Sequence, residues 1–110
     1  MAIDNSLHYS LESTHFKIKD YLDKVTLVRE HSPMIIKNEA LAELLEGFDI
    51  EALEEQTKDI HALHNQLNDI KKVSTKIVED LGNSDDPATK AAKVVSGLET
   101  VFLKINNIVL

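Results

Sequence analysis

Apolar positions along the centre of the chain recur at alternating intervals of three and four residues. Leu53, Gln56, Ile60, Leu63, Leu67, Ile70, Ser74, Ile77 and Leu81 keep that rhythm without a slip. On an α-helix such spacing collects side chains on one face, where they form a seam against a neighbouring helix. The pattern predicts one long helix over residues 50–81, about 48 Å at ~1.5 Å per residue. Asp49 is its expected N-cap, with Phe48 and Leu53 placed as a hydrophobic staple around the cap. Val73 and Val78 widen the seam near residues 73–81, as expected where several helices surround it. Between residues 53 and 70 the flanks are Thr57, Asp59, His64, Gln66 and Lys71. That half offers a narrow seam to a single neighbour, from this chain or another.

The same reading places three more helices. Leu7, Leu11, Thr14, Ile18, Tyr21, Val25 and Val28 mark one over about residues 6–30, its apolar face broadened by Phe16, Leu22 and Leu27. Ser32-Pro33 ends it, because a residue before proline avoids helical dihedrals. A short helix over 33–46 follows, with Met34, Ile35, Leu41, Leu44 and Leu45 on its apolar side. It starts either at Pro33 with Ser32 as cap, or near Asn38 after an extended connector. Gly47 is placed to end it in a left-handed conformation. The last helix covers about 87–109, with Ala91, Val95, Leu98, Phe102, Ile105 and Val109 on its stripe. The turn Gly82-Asn83-Ser84-Asp85-Asp86-Pro87 is short enough to fold it back on its predecessor as an antiparallel hairpin. The run Phe102, Leu103, Ile105, Ile108, Val109, Leu110 is expected to be buried, in the bundle or in a partner. The expected fold is therefore all-α: a single domain over 1–110, built as an antiparallel bundle of three long helices and one short helix, with a coiled-coil-like hairpin from the last two.

Composition supports this class. Three Gly and two Pro among 110 residues are too few for a fold with frequent turns. The absence of cysteine removes disulfides, thiolate metal sites and cysteine nucleophiles together. No run approaches the roughly 20 apolar residues of a membrane span. The first residues, Met1 to Ser6, carry neither a basic patch nor an apolar run, so no signal peptide is visible. A cytoplasmic protein is the expectation, with non-classical secretion left open.

Charge adds the one asymmetry. The formal net charge is −7, which argues against a nucleic-acid partner, since that binding rewards clustered Lys and Arg. Residues 39–59 contain Glu39, Glu43, Glu46, Asp49, Glu51, Glu54, Glu55 and Asp59 against one base, Lys58. That stretch holds the entire net charge; the remainder is balanced. Glu46, Asp49, Glu51, Glu54, Glu55 and Asp59 form an acidic elbow that could steer a basic protein surface. The competing account is plainer: acids near helix N-termini favour the helix dipole and keep a surface soluble.

Candidate chemistry is sparse. His61 and His64 lie three apart, and Glu12 with His15 forms one Glu-x-x-His, whereas di-metal carboxylate bundles use two such motifs and two further glutamates. No histidine sits in the His-x-x-Lys-Gly setting of a phosphotransfer domain. There is no Gly-x-Ser-x-Gly elbow, and Gly47, Gly82 and Gly97 are isolated rather than gathered in a phosphate loop. No cofactor or metal site is expected. Two polar residues interrupt the seam. Gln56 either specifies pairing or sits at a solvated end; Ser74 either fixes register or bonds its own backbone four residues back.

The Asn83-Ser84-Asp85-Asp86-Pro87 turn, with the aliphatic helix after it, resembles the hairpin of type III secretion needle subunits over residues 60–110. Small acidic secretion chaperones and the hairpin proteins of type VII secretion are similar in size. The last helix is shorter than a needle subunit's, and the chain has no tryptophan for a Trp-x-Gly turn. No family is assigned on this likeness. The expected function is a non-enzymatic helical interaction module: an adaptor, chaperone-like subunit or inhibitor of another protein, working as a homodimer or heteromer. The alternative is a helical bundle with a histidine-based phosphotransfer or metal-binding role.

Overall fold

Three helix starts are marked by aspartates that accept early backbone N–H groups. Asp49 accepts from the Ala52 amide, Asp59 from Ala62 and Asp86 from Thr89. The computed structural model describes residues 6–108, and among them the chain forms five helices and no strand. These are α1 (Ser6–Lys24), α2 (His31–Gly47), α3 (Ile50–Gln56), α4 (Ile60–Gly82) and α5 (Pro87–Asn106). α1 packs on α2 and α4, and α5 packs on the same two helices, so the four longer helices close a ring around one core. The molecule measures 46 × 21 × 21 Å. No helix among the described residues is long and apolar enough to cross a membrane.

The core is the inward stripe of each helix. Leu7, Leu11 and Ile18 of α1 meet Met34 and Leu41 of α2, Leu63, Leu67, Ile70 and Ile77 of α4, and Ala91, Val94, Leu98 and Val101 of α5. Gly97 lets α5 approach α4 closely: a Cβ there would lie 2.5 Å from Ile77 Cγ1.

Several boundaries differ from the sequence reading. The helix expected over 6–30 stops at Lys24, before Val25, Thr26 and Val28, whose β-branched side chains are poor helix formers. The buried His31 ring organises the connection that follows. The Val28 amide donates to His31 Nδ1 at 3.0 Å, leaving Nε2 to carry the proton toward the Tyr21 hydroxyl at 3.3 Å. Burial raises the Tyr21 hydroxyl above its ordinary pKa. α2 therefore begins at His31 rather than at Pro33 or Asn38. Pro33 sits in its first turn, where a missing N–H breaks no helical bond. Phe16 and Leu27, expected to broaden the α1 face, are exposed. Gly47 ends α2 without a left-handed conformation.

The largest difference lies at residues 57–59. The helix expected over 50–81 is two helices, α3 and α4. The Thr57 amide closes α3 on the Leu53 carbonyl, and the Thr57 hydroxyl accepts from the Asp59 amide at 3.2 Å. Asp59 then adopts an extended backbone and caps α4 at 3.1 Å. A 32-residue helix would run about 48 Å, whereas α1 and α5, at about 30 Å each, cannot cover so long a seam. Folding at residue 57 lets Ile50 reach the core instead. Within the seam, Leu63, Leu67, Ile70, Ser74 and Ile77 are buried, Leu53, Ile60 and Leu81 are half-buried, and Gln56 is exposed.

Polar groups inside the core pair across helices. Ser74 Oγ lies 2.6 Å from Thr14 Oγ1 and 3.2 Å from the Ser10 carbonyl, and the Ser10 hydroxyl donates to it at 3.0 Å. Ser74 therefore ties α4 to α1 rather than bonding its own helix. Asn38 and His15 form a second tie: the Asn38 amide donates to the His15 carbonyl at 3.2 Å, and His15 Nδ1 lies 3.0 Å from Asn38 Oδ1. Phe102, Ile105 and Ile108 are half-buried and Leu103 is exposed. Val109 and Leu110 lie outside the described residues.

Candidate functional site

The acidic elbow comprises the C-terminal half of α2, the Phe48-Asp49 link, α3 and the Thr57-Lys58-Asp59 link. Its two links are held by local bonds. Asp49 and Asp59 spend one carboxylate oxygen each on the caps of α3 and α4, both at 3.1 Å. Leu41 of α2 and Ile50 of α3 are buried in the core, and Leu44, Leu45, Phe48 and Leu53 are half-buried against it.

The six acids singled out in the sequence take different positions. Glu46, Asp49 and Glu51 come together around a hollow of about 510 Å³ that His8 of α1 also lines. His8 Nδ1 is 3.7 Å from Glu12 Oε2, so this histidine already has an acidic neighbour. Glu55 and Asp59 are exposed. Glu54 turns the other way. Its side chain is only 5% exposed, with Oε2 3.4 Å from His64 Nε2, while Oε1 is buried without a hydrogen-bond partner. A desolvated carboxylate oxygen lacking a donor is costly, so His64 is the contact that makes this orientation tolerable when it carries its proton.

Charge in the elbow is largely uncompensated. Glu39, Glu43, Glu46, Glu51 and Glu55 make no ion pair among the described residues. Lys58, the only base of the segment, is exposed and pairs with none of them. Several unscreened carboxylates within one or two turns of helix produce a negative potential that reaches about one Debye length, ~8 Å at physiological salt.

The histidines are dispersed. His61 is exposed at the start of α4, His64 meets Glu54, His8 meets Glu12, His15 meets Asn38, and His31 is buried in the α1–α2 connection. Among the described residues no three of His, Cys, Asp or Glu come together as a metal site.

Sequence reasoning missed one participant, His8, and the orientation of another, Glu54. His8 lies about 40 residues from the elbow acids and reaches them only because α1 packs on α2, which periodicity within one helix cannot report. The inward turn of Glu54 depends on the bend at 57–59, and the available signal was Asp59, three residues before the Ala62 amide that it caps. No protein-family model matches the chain, and no curated protein or solved structure matches it.

Proposed function

We propose that the chain is a non-enzymatic helical interaction module, an adaptor, chaperone-like subunit or inhibitor, whose acidic elbow receives a basic surface of a protein partner. The observation that carries this reading is the concentration of unpaired acids at Glu46, near the end of α2, and at Glu51 and Glu55 of α3, a helix that Asp49 already caps. Acids needed only for capping would be spent on amides, as Asp49 and Asp59 are. Exposed, uncompensated carboxylates on a fixed element instead accelerate the encounter with a complementary surface.

The bundle reading is part of the same proposal. The four long helices are taken to alternate up and down, with α4 and α5 as an antiparallel hairpin. Supporting this are the four-residue link between them, the Ile77–Gly97 approach, and the Gln66 side-chain amide donating to the Asn107 carbonyl at 3.5 Å. Residues early in α4 thus meet residues late in α5. Such a frame holds the elbow at one end of the molecule, where it is open to a second chain in a homodimer or heteromer.

The test replaces Glu51 and Glu55 by Gln, which removes exposed charge without adding repulsion and leaves the Glu54–His64 contact in place. Affinity capture from the native source with parent and variant side by side identifies the partner. Stopped-flow binding then measures association at low and high salt. The variant is expected to associate at least several-fold more slowly at low salt, with a flatter salt dependence and a less altered dissociation rate. An unchanged low-salt association rate removes the elbow from the binding surface.

A further inference from the structure

Outside the elbow, a groove of about 770 Å³ lies between α4 and α5. It is lined by Val73, Ile77 and Gly97 with Ala92 exposed at its edge, and by Lys72, Lys76 and Lys93, with the Asp80 carboxylate beside Lys76. The groove exists because α5 is built from small residues on this side, so its backbone lies near Ile77 while no bulky side chain fills the space above. Lys76 Nζ is 3.6 Å from Asp80 and Lys93 Nζ is 2.8 Å from Asp85, whereas Lys72 makes no ion pair among the described residues. The hydrogen bond and charge of Asp85 raise the pKa of Lys93. An ammonium group has three donors, so each of these lysines can accept a further carboxylate.

The same chain carries a matching surface elsewhere. On the outward side of α2, Ile36, Glu43 and Gly47 fall along one line, with Glu39 and Glu46 beside it. Ile36 is 64% exposed, and Glu39, Glu43 and Glu46 are exposed without ion pairs. From Ile36 to Glu46 the helix rises about 15 Å, and from Thr89 to Thr100 the groove wall rises about 16 Å. Glu39 and Glu43 are four residues apart, as are Lys72 and Lys76, so both pairs repeat at about 6 Å. An apolar anchor flanked by acids thus has the length and charge spacing of an apolar floor flanked by lysines.

We infer that the α4–α5 groove docks the outward face of α2 from a second copy of this chain, with Ile36 over the Ile77–Gly97 floor and Glu39 and Glu43 on Lys72 and Lys76. This rests on reading the acidic segment as a binding surface, and it assigns one face of that segment to self-association. α2 is flanked by α1 and α5 whereas the groove lies between α4 and α5, so the two surfaces are distinct and can be occupied at once. Such a contact is heterologous, and it extends beyond a dimer unless the rotation closes a ring. Repulsion between two chains of net charge −7 opposes it only weakly at physiological salt, because the separated charges are screened while the docked pairs are not.

The experiment measures weight-average mass by sedimentation and light scattering over a wide concentration range, at about 0.15 M and 1 M salt, regimes with Debye lengths of ~8 and ~3 Å. The full chain is expected to exceed dimer mass at the lower salt and to dissociate at the higher. Glu39→Lys with Glu43→Lys, and separately Lys72→Glu with Lys76→Glu, should each shift the association midpoint at least tenfold upward. Mixed in equal amounts, the two variants should associate again, since their intact surfaces pair and their reversed surfaces complement each other in charge. Circular dichroism verifies folding; should either charge variant fail to fold, Ala92→Trp, which fills the groove at an exposed position, and Ile36→Ser carry the test. A chain that stays monomeric, or variants that associate like the parent, overturns the inference. If that happens while the Glu51 and Glu55 Gln variant still associates more slowly with its captured partner at low salt, the proposed function stands and self-docking alone is wrong.

Discussion

α3 and α4 lie end to end and carry one continuous 3-4 rhythm, yet they meet the rest of the molecule on different terms. α4 buries Leu63, Leu67, Ile70, Ser74 and Ile77 against α1 and α5, while α3 commits only Ile50 to the core. Each helix turns one acid inward, Glu54 of α3 toward His64 and Asp80 of α4 beside Lys76. α3 and its links present Glu51, Glu55 and Asp59 to solvent within a short stretch, whereas the exposed acids of α4, Asp69 and Glu79, are interleaved with lysines. A heptad pattern states which face a helix can offer, and the length of its neighbours decides how much of that face is used. What is left uncovered is free to carry charge.

The sharpest way to break this comparison is to place the same charge on both sides of the bend. Leu63 is fully buried, so Leu63→Glu leaves an unpaired carboxylate in the core and is expected to cost about 4 kcal/mol or more. Leu53 is half-buried at the elbow, and its new carboxylate can turn to water, so Leu53→Glu is expected to cost about 1 kcal/mol. Urea unfolding followed by circular dichroism measures both. Equal losses would mean that α3 is as much a part of the core as α4.

The outline of α4 and α5 was legible in the sequence because cap, stripe and stop are local signals: Asp86-Pro87 opens α5, and the stripe from Leu63 to Ile77 keeps its 3-4 spacing with Ser74 as its one polar member. The bend at Thr57–Asp59 was not legible from periodicity, since all three residues fall off the seam and none is Gly or Pro. Its cause is partly non-local, because nothing in residues 50–81 states how long α1 and α5 are. His31 was opaque for a similar reason. Its role depends on Tyr21 and Val28 arriving at its two ring nitrogens, a geometry of the α1–α2 connection rather than of any motif. The acidic segment was plain as composition, but the division between capping, inward-turned and exposed acids required the bend to be known.

Glycines give a second contrast between the regions. At Gly97 an added Cβ would lie 2.5 Å from Ile77 Cγ1, near the stem of a stiff β-branched side chain. Gly97→Ala is expected to destabilise by about 1–3 kcal/mol through overpacking, and Ile77→Ala in the same chain should recover part of that loss relative to Ile77→Ala alone. At Gly47 nothing lies within 4 Å of the added Cβ and the backbone is not left-handed. Gly47→Ala is therefore expected to be neutral or to stabilise by up to about 1 kcal/mol. Thermal melts of the pair test whether the α4–α5 contact is packed more closely than the end of α2.

The bend itself rests on Asp59. Its carboxylate holds the Ala62 amide at 3.1 Å, and its backbone is tied to the Thr57 hydroxyl. Asp59→Ala is expected to cost about 1 kcal/mol, the usual worth of a helix cap. It should also raise amide hydrogen exchange at Leu63 and its neighbours before the rest of α4 responds. Uniform protection along α4 in the variant would show that packing, not the cap, fixes where α4 begins.

The smallest effect expected is at Asp86, the corresponding cap of α5, and it separates capping from charge. The Thr89 hydroxyl donates to Asp86 Oδ1 at 2.6 Å and the Thr89 amide to Oδ2 at 3.3 Å. These bonds, the hydroxyl's first, favour the ionised carboxylate and lower its pKa below the ordinary aspartate range. A carboxyl whose pKa is lower in the folded state stabilises the fold at pH values above its unfolded pKa. That contribution fades as the pH falls from about 4, the ordinary aspartate value, through the lower folded one. Asn can accept the same amide but does not ionise, so the stability difference between the parent and Asp86→Asn should be constant above about pH 5 and shrink toward lower pH. Because the group is on the surface, added salt should reduce the difference further. Melting both proteins across pH 3–7, alongside an NMR titration of the Asp86 carboxyl, measures it. A difference that does not change with pH would mean that the Asp86 carboxylate acts at this cap through geometry alone.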